Sequence, residues 1–123
     1  MSRYSGRLPR TFAAAVKLSS GRQSRKLANN TYLTLGSNGE YEVTYHGNTI
    51  ATFHQDGTII LTTCGYGAAT STNERLSAMA PEGTHFARRN YVGVVRQFSA
   101  DGKMAEMISD TVRINPDRTV HVL

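Results

Sequence analysis

The chain has 123 residues, a length that suits one domain with one core, and its 39% hydrophobic content argues against wholesale disorder. No apolar run approaches the roughly 18–20 residues of a membrane span. A single cysteine, Cys64, excludes an internal disulfide and any multi-cysteine zinc site, and suits a reducing cytosol.

The net charge of +5 is unevenly spread. The first 30 residues hold Arg3, Arg7, Arg10, Lys17, Arg22, Arg25 and Lys26 and no acid, which leaves the rest of the chain at −2. Residues 1–26, rich in Ser, Gly and Arg and carrying Pro9, read as a basic, flexible arm. A single mostly β domain is expected over residues 27–123. Within the arm, residues 11–18 allow a short helix, with Thr11 as its N-cap, Gly21 as its stop, and Phe12 and Val16 on one face. A helix that short persists in water only if it docks. The Arg- and Ser-rich start also has the character of a mitochondrial transit peptide, while a secretory signal is excluded by the missing apolar centre.

From Asn30 onward, short extended runs alternate with turn signals. Residues 31–35 are followed by Gly36-Ser37-Asn38-Gly39. Residues 41–45 alternate and place Tyr41, Val43 and Tyr45 on one face. His46-Gly47-Asn48 turns the chain into residues 49–54, where Ile50 alternates with Thr49 and Ala51. Gln55-Asp56-Gly57 turns it again into residues 58–63, because Asp-Gly accepts positive φ at little cost. This antiparallel meander is the clearest structural expectation. The loop Gly65-Tyr66-Gly67 ends it. A helix follows, capped by Thr70, Ser71 or Thr72, with Glu74 in its first turn, Leu76, Met79 and Ala80 on one face, and Pro81-Glu82-Gly83 as its stop. Then come Phe86 and residues 91–98, a hairpin turn at Ser99-Ala100-Asp101-Gly102, residues 103–114 broken near Ser109-Asp110, and a last strand over 119–123 after Asn115-Pro116-Asp117-Arg118.

Several segments together carry a resemblance. They are Lys26-Leu27-Ala28-Asn29-Asn30-Thr31-Tyr32-Leu33, His46-Gly47-Asn48-Thr49-Ile50, Asp56-Gly57-Thr58-Ile59-Ile60-Leu61, and Cys64-Gly65-Tyr66-Gly67-Ala68-Ala69-Thr70-Ser71-Thr72 with Arg75 just beyond. In order and spacing they resemble small accessory proteins of tailed bacteriophages and prophages. The resemblance covers the middle of the chain, and departs at Tyr66 and through the C-terminal third. It implies a phage origin and action in an infected bacterial cytoplasm, and it brings no catalytic residue with it.

Candidate chemistry centres on the cations. Lysine and arginine neutralise phosphates and release counterions, so the seven arm residues, Arg3 to Lys26, suit nucleic acid, either DNA or RNA. Arg88-Arg89-Asn90-Tyr91 and Arg96-Gln97-Phe98 interleave cations with aromatics, as a base-stacking surface would, with Arg89 sharing a face with Tyr91 and Arg96 with Phe98. Residues 65–67 lack the lysine of a phosphate-binding loop and read as a plain turn. Cys64 has no histidine at a pairing distance in sequence, and reads as an inert strand-end residue. His46, His54, His85 and His121 show no metal-ligand spacing, so no metal and no cofactor are expected. Glu40 and Glu42 read as solvent-facing charges.

The sequence therefore predicts a mainly β fold, a small antiparallel barrel or sandwich with one short helix and the basic arm. The expected role is a non-enzymatic phage accessory protein that binds nucleic acid through Arg3, Arg7, Arg10, Lys17, Arg22, Arg25 and Lys26, with Arg88, Arg89 and Arg96. The alternative is a protein-interaction module that blocks a host or defence protein, or assembles with copies of itself, through a β face or free edge. A small hydrolase or transferase working at Cys64 or the adjoining loop is the third reading.

Overall fold

The computed structural model describes residue 4 and residues 6–123. Among the described residues, two helices and ten strands follow in chain order. They are α1 (Phe12–Ser19), β1 (Ser24–Ala28), β2 (Thr31–Leu35), β3 (Tyr41–Tyr45), β4 (Asn48–Phe53), β5 (Ile59–Thr62), α2 (Thr70–Met79), β6 (Thr84–Arg89), β7 (Val92–Phe98), β8 (Met104–Ile108), β9 (Thr111–Ile114) and β10 (Val120–Val122). The strands form a seven-stranded sheet in the order β1-β2-β3-β4-β5-β9-β10 and a three-stranded sheet in the order β6-β7-β8. Both are antiparallel and neither closes, so the mainly β expectation holds in its sandwich-like form and not as a barrel.

Side-chain alternation builds the large sheet's core face. Leu33, Val43, Ala51, Leu61 and Val112 are cross-strand partners in one row, and Tyr41, Phe53, Ile59 and Ile114 make the next. All nine are buried. The register slips between Val43 and Thr44, leaving Ile50 as an extra residue in β4. Ile50 and Ala51 are consequently both buried, where strict alternation pairs Ala51 with polar Thr49 on the outer face. At the β3–β4 turn, His46 and Gly47 both take positive φ, the geometry that matches strand twist in a two-residue hairpin.

β5 and β9 are paired neighbours, yet 48 residues separate them in the chain. That excursion builds α2 and the small sheet. The 103–114 run breaks at Ser109-Asp110 as expected, and its halves join different sheets. Two contacts knit the excursion together internally, and a third fastens it to the large sheet. The Ser77 hydroxyl bonds both the Phe86 N–H (2.9 Å) and its carbonyl (3.2 Å), tying α2 to β6. Gly67 and Gly93 bring two backbones so close that a Cβ on either would lie 2.8 Å from the other's Cα. Arg75, buried on α2, donates from Nε to Thr31 Oγ1 (2.8 Å) and from Nη2 to the Asn29 carbonyl (3.1 Å) across the layers. The N-cap of α2 is Ala69, with no side-chain cap bond, in place of the expected Thr70, Ser71 or Thr72.

The N-terminal segment departs most from expectation. The helix foreseen there forms, with Thr11 Oγ1 accepting from the Ala14 N–H (3.0 Å) and Ser20 closing it in the left-handed region. It docks on the large sheet: Ala15 is fully buried, Phe12 meets Tyr41 edge-on at 5.8 Å, and the Ser19 and Tyr41 hydroxyls lie 3.3 Å apart. Tyr4 and Leu8 join the same core. β1 pairs with β2, so the boundary placed at residue 26 falls inside a strand. The pliancy expected of the arm does not extend to residues 7–26. Leu8, Phe12, Ala15 and Leu18 cover a sheet face that would otherwise be wet.

Deleting residues 1–26 is therefore expected to unfold the chain rather than trim it. Each large apolar side chain uncovered costs about 1.5–3 kcal/mol, against a total stability of about 5–15 kcal/mol. A truncated chain that melts cooperatively at the full-length temperature would refute this docking.

Candidate functional site

The cations of the N-terminal segment are distributed around a sheet edge. Arg3 lies outside the described residues. Arg7 donates to the Leu27 carbonyl (3.4 Å) and Arg10 Nε to the Ala78 carbonyl (2.9 Å), while Arg118 donates to the Arg10 carbonyl (3.2 Å). Arg25 points to the core face beside Leu33, where its guanidinium bonds the Leu18 carbonyl and Ser20 Oγ. Lys26 is paired with Tyr32 and points to the opposite face. Lys17, Arg22 and Lys26 are exposed.

The small sheet gathers the other three candidates. Its inner face carries Thr84, Phe86 and Val95, all buried. Its outer face carries His85, Arg89, Val92, Arg96, Phe98, Met104, Glu106 and Ile108, by the β6–β7–β8 register. Glu106 accepts from Arg89 (2.6 Å) and Arg96 (2.9 Å), which leaves this cluster at +1. Hydrogen bonds from Arg89 and then Arg96 hold the Glu106 carboxyl below its ordinary value of 4.5. Arg96 and Phe98 share this face, as the sequence suggested, and Phe98 meets His85 edge-on at 5.5 Å. Arg89 and Tyr91 do not pair. Tyr91 sits in the tight Asn90-Tyr91 turn at positive φ, 83% exposed, and the Arg88 guanidinium lies 5.9 Å from its ring centroid. Arg88 also donates to the Ala68 carbonyl (3.2 Å).

A feature missed in the sequence is the edge strand β8. Met104, Met107 and Ile108 are exposed, Ile108 by 80%, and Phe98 and Val92 are exposed beside them on β7. Free sheet edges are ordinarily guarded by charge or kept short. Among the described residues, edge β1 carries Arg25 and Lys26, edge β6 carries Arg88 and Arg89, and edge β10 spans three residues. Edge β8 is Met-Ala-Glu-Met-Ile, and its single charge is already satisfied within the chain. The signal was legible: five residues without alternation and with one charge.

The smaller candidates resolve into local structure. The Cys64 thiol donates to the Thr49 carbonyl (3.0 Å); burial, and then the charge of Asp110, push its pKa up, away from a reactive thiolate. The Gly65–Gly67 stretch is a turn, with the Tyr66 N–H bonding the Thr63 carbonyl (2.9 Å). No cluster of three or more His, Cys, Asp or Glu that could hold a metal occurs among the described residues. No helix among them is long and apolar enough to cross a membrane.

Comparison with known proteins gives one match. A family model described as Kyanoviridae Gp96 protein covers residues 10–113, and no curated protein and no solved structure matches. The match spans most of the chain, and the chain belongs to that family of phage proteins. The phage origin implied by the resemblance stands on this finding.

Two outcomes follow from the protonation equilibria. The depressed Glu106 carboxylate stabilises the fold above its unfolded-state pKa, and that contribution disappears as pH falls through the lower folded value. Amide exchange in β6–β8 should therefore accelerate below about pH 4.5, and Glu106→Gln should flatten that dependence; an identical acid profile in the variant would contradict the cluster. Alkylation of Cys64 at neutral pH should be slower than that of an unstructured cysteine peptide, and Asp110→Asn should speed it.

Proposed function

We propose that this member of the Kyanoviridae Gp96 family is a non-enzymatic accessory protein that works as an interaction module, joining a second copy of itself through edge strand β8. The observation that carries this reading is the unguarded edge: five residues whose two methionines and isoleucine are exposed. The outer face beside this edge, with Met104, Phe98, Arg89 and Arg96, has the methionine, aromatic and arginine enrichment of interface cores. Antiparallel pairing of two β8 strands about a two-fold axis would double the small sheet and satisfy both edges. Charge permits it, because Glu106 is neutralised by its own Arg89 and Arg96 and no bare carboxylates would meet.

The full-length protein should sediment as a discrete dimer, and Ile108→Lys combined with Met107→Lys should yield a folded monomer. A wild-type chain that stays monomeric at about 100 µM, a concentration well above the micromolar Kd of even modest complexes, would overturn the proposal.

A second reading, binding of DNA or RNA, is favoured by Lys17, Arg22 and Lys26, which are exposed and have no ion pair among the described residues. Their surface is fixed by α1 and β1 and would grip phosphates as a rigid edge. The triple alanine variant should lose gel-shift affinity and reduce the salt slope by about 2–3. Unchanged affinity and slope would remove these residues from any nucleic-acid interface.

A further inference from the structure

Arg75 presents a charge problem that the fold does not solve with a carboxylate. The residue is 3% exposed and has no ion pair among the described residues. Its guanidinium lies between the rings of Tyr45 and Tyr4, 3.8 and 4.6 Å from their centroids. Three of its five N–H donors are engaged, by Thr31 Oγ1, the Ser71 carbonyl (2.9 Å) and the Asn29 carbonyl (3.1 Å), all neutral acceptors. Two donors remain. Arg75 borders a cavity of about 310 Å³, where Arg7 supplies a second cation beside Asn29 and Ser71, and no Asp or Glu lines it among the described residues.

A second cavity of about 310 Å³ adjoins the first, sharing Tyr45 and Ser71 as walls. It too is free of lining acids among the described residues and has His46 and Tyr66 on its border. Two separate features mark it as a place for a polar guest. Thr63, 1% exposed, has a hydroxyl without a hydrogen-bond partner, and it borders this cavity. The first turn of the ten-residue helix α2, at Ser71 and Thr72, also borders it; its leading N–H groups have no intrahelical partner, as in any helix, and the N-cap Ala69 offers them no side-chain acceptor.

We infer that these neighbouring cavities, parted by the hydrogen bond from the Tyr45 hydroxyl to Ser71 Oγ (3.1 Å), together form a binding site for a small phosphate-bearing molecule. Its phosphate sits against Arg75 and Arg7, and its remaining part extends past Tyr45 toward Thr63. Charge selects phosphate over carboxylate: a phosphate monoester carries about −1.5 to −2 at neutral pH and matches two guanidinium groups, which also suit its geometry. The segments that carried the phage resemblance supply much of the wall, through Asn29, His46, Ser71 and Arg75.

The test uses the full-length protein, titrated by calorimetry and by thermal shift with inorganic phosphate, with the common nucleoside 5′-monophosphates as organic phosphates, and with the corresponding nucleosides. Monophosphates should bind and raise the melting temperature, and the bare nucleosides should not. Monophosphates binding at least tenfold tighter than inorganic phosphate would assign both cavities to one organic ligand. Equal affinity would assign the arginine seat to free phosphate; either result supports the site. Arg7→Ala, an exposed substitution that leaves the core intact, should weaken binding at least tenfold, and Arg7→Lys should restore part of it. The inference fails if neither phosphate nor any monophosphate binds up to about 10 mM, a limit weaker than millimolar affinity. It also fails if nucleosides bind as well as their monophosphates, or if Arg7→Ala leaves affinity unchanged.

Discussion

A buried arginine without a carboxylate is the constraint around which this fold closes. Removing a guanidinium from water costs several kcal/mol unless its donors and its charge find partners. Arg75 meets that cost with two tyrosine ring faces and three neutral oxygens contributed by distant parts of the chain. Tyr4 comes from the N-terminal segment, Asn29 and Thr31 from the β1–β2 turn, Tyr45 from the end of β3, and Ser71 from α2's own first turn. One side chain therefore pins the helix to the large sheet and requires the N-terminal segment to be in place. The same arrangement leaves the positive charge unneutralised, which is why the adjoining cavities have chemical meaning.

The architecture is a continuous sheet with a large insertion between two of its neighbouring strands. β5 and β9 pair as if nothing separated them, while α2 within the insertion reaches through Arg75 to the β1–β2 turn and the end of β3. The insertion is tight within itself where backbones touch, at Gly67 and Gly93, and where Ser77 clasps Phe86, and it is tied to the rest of the fold through Arg75 and through Arg10, which donates to the Ala78 carbonyl. It is open at β8, the strand farthest from α2 in the small sheet. An insertion that is anchored at its inner strand and bare at its outer one has the form of a presented surface.

Much of this was legible in residue order. Period-two alternation in residues 41–45, and the turn chemistry of His46-Gly47, Asp56-Gly57 and Asp101-Gly102, follow from local sterics, so the meander and its hairpins could be read directly. Thr11 announced its helix because a cap is a contact between near neighbours. Even the β8 edge left a trace, in a five-residue run with neither alternation nor charge guards. The bulge at Ile50 left none, since it depends on which residues of β3 lie opposite.

By itself the sequence determined the strands of the meander from residue 31 onward, the turns, the α1 helix and the asymmetry of charge, because each of these is set by neighbours within a few positions; β1, formed inside the segment read as an arm, was not among them. Only the tertiary structure decided that the basic segment is packed rather than pliant, that its cations split between two sheet faces, and that Arg75 is buried without an acid. Those outcomes depend on contacts between residues as far apart as Tyr4 and Arg75, or Arg10 and Arg118. Burial and charge pairing are properties of the assembled surface, and no local pattern of residue types encodes them.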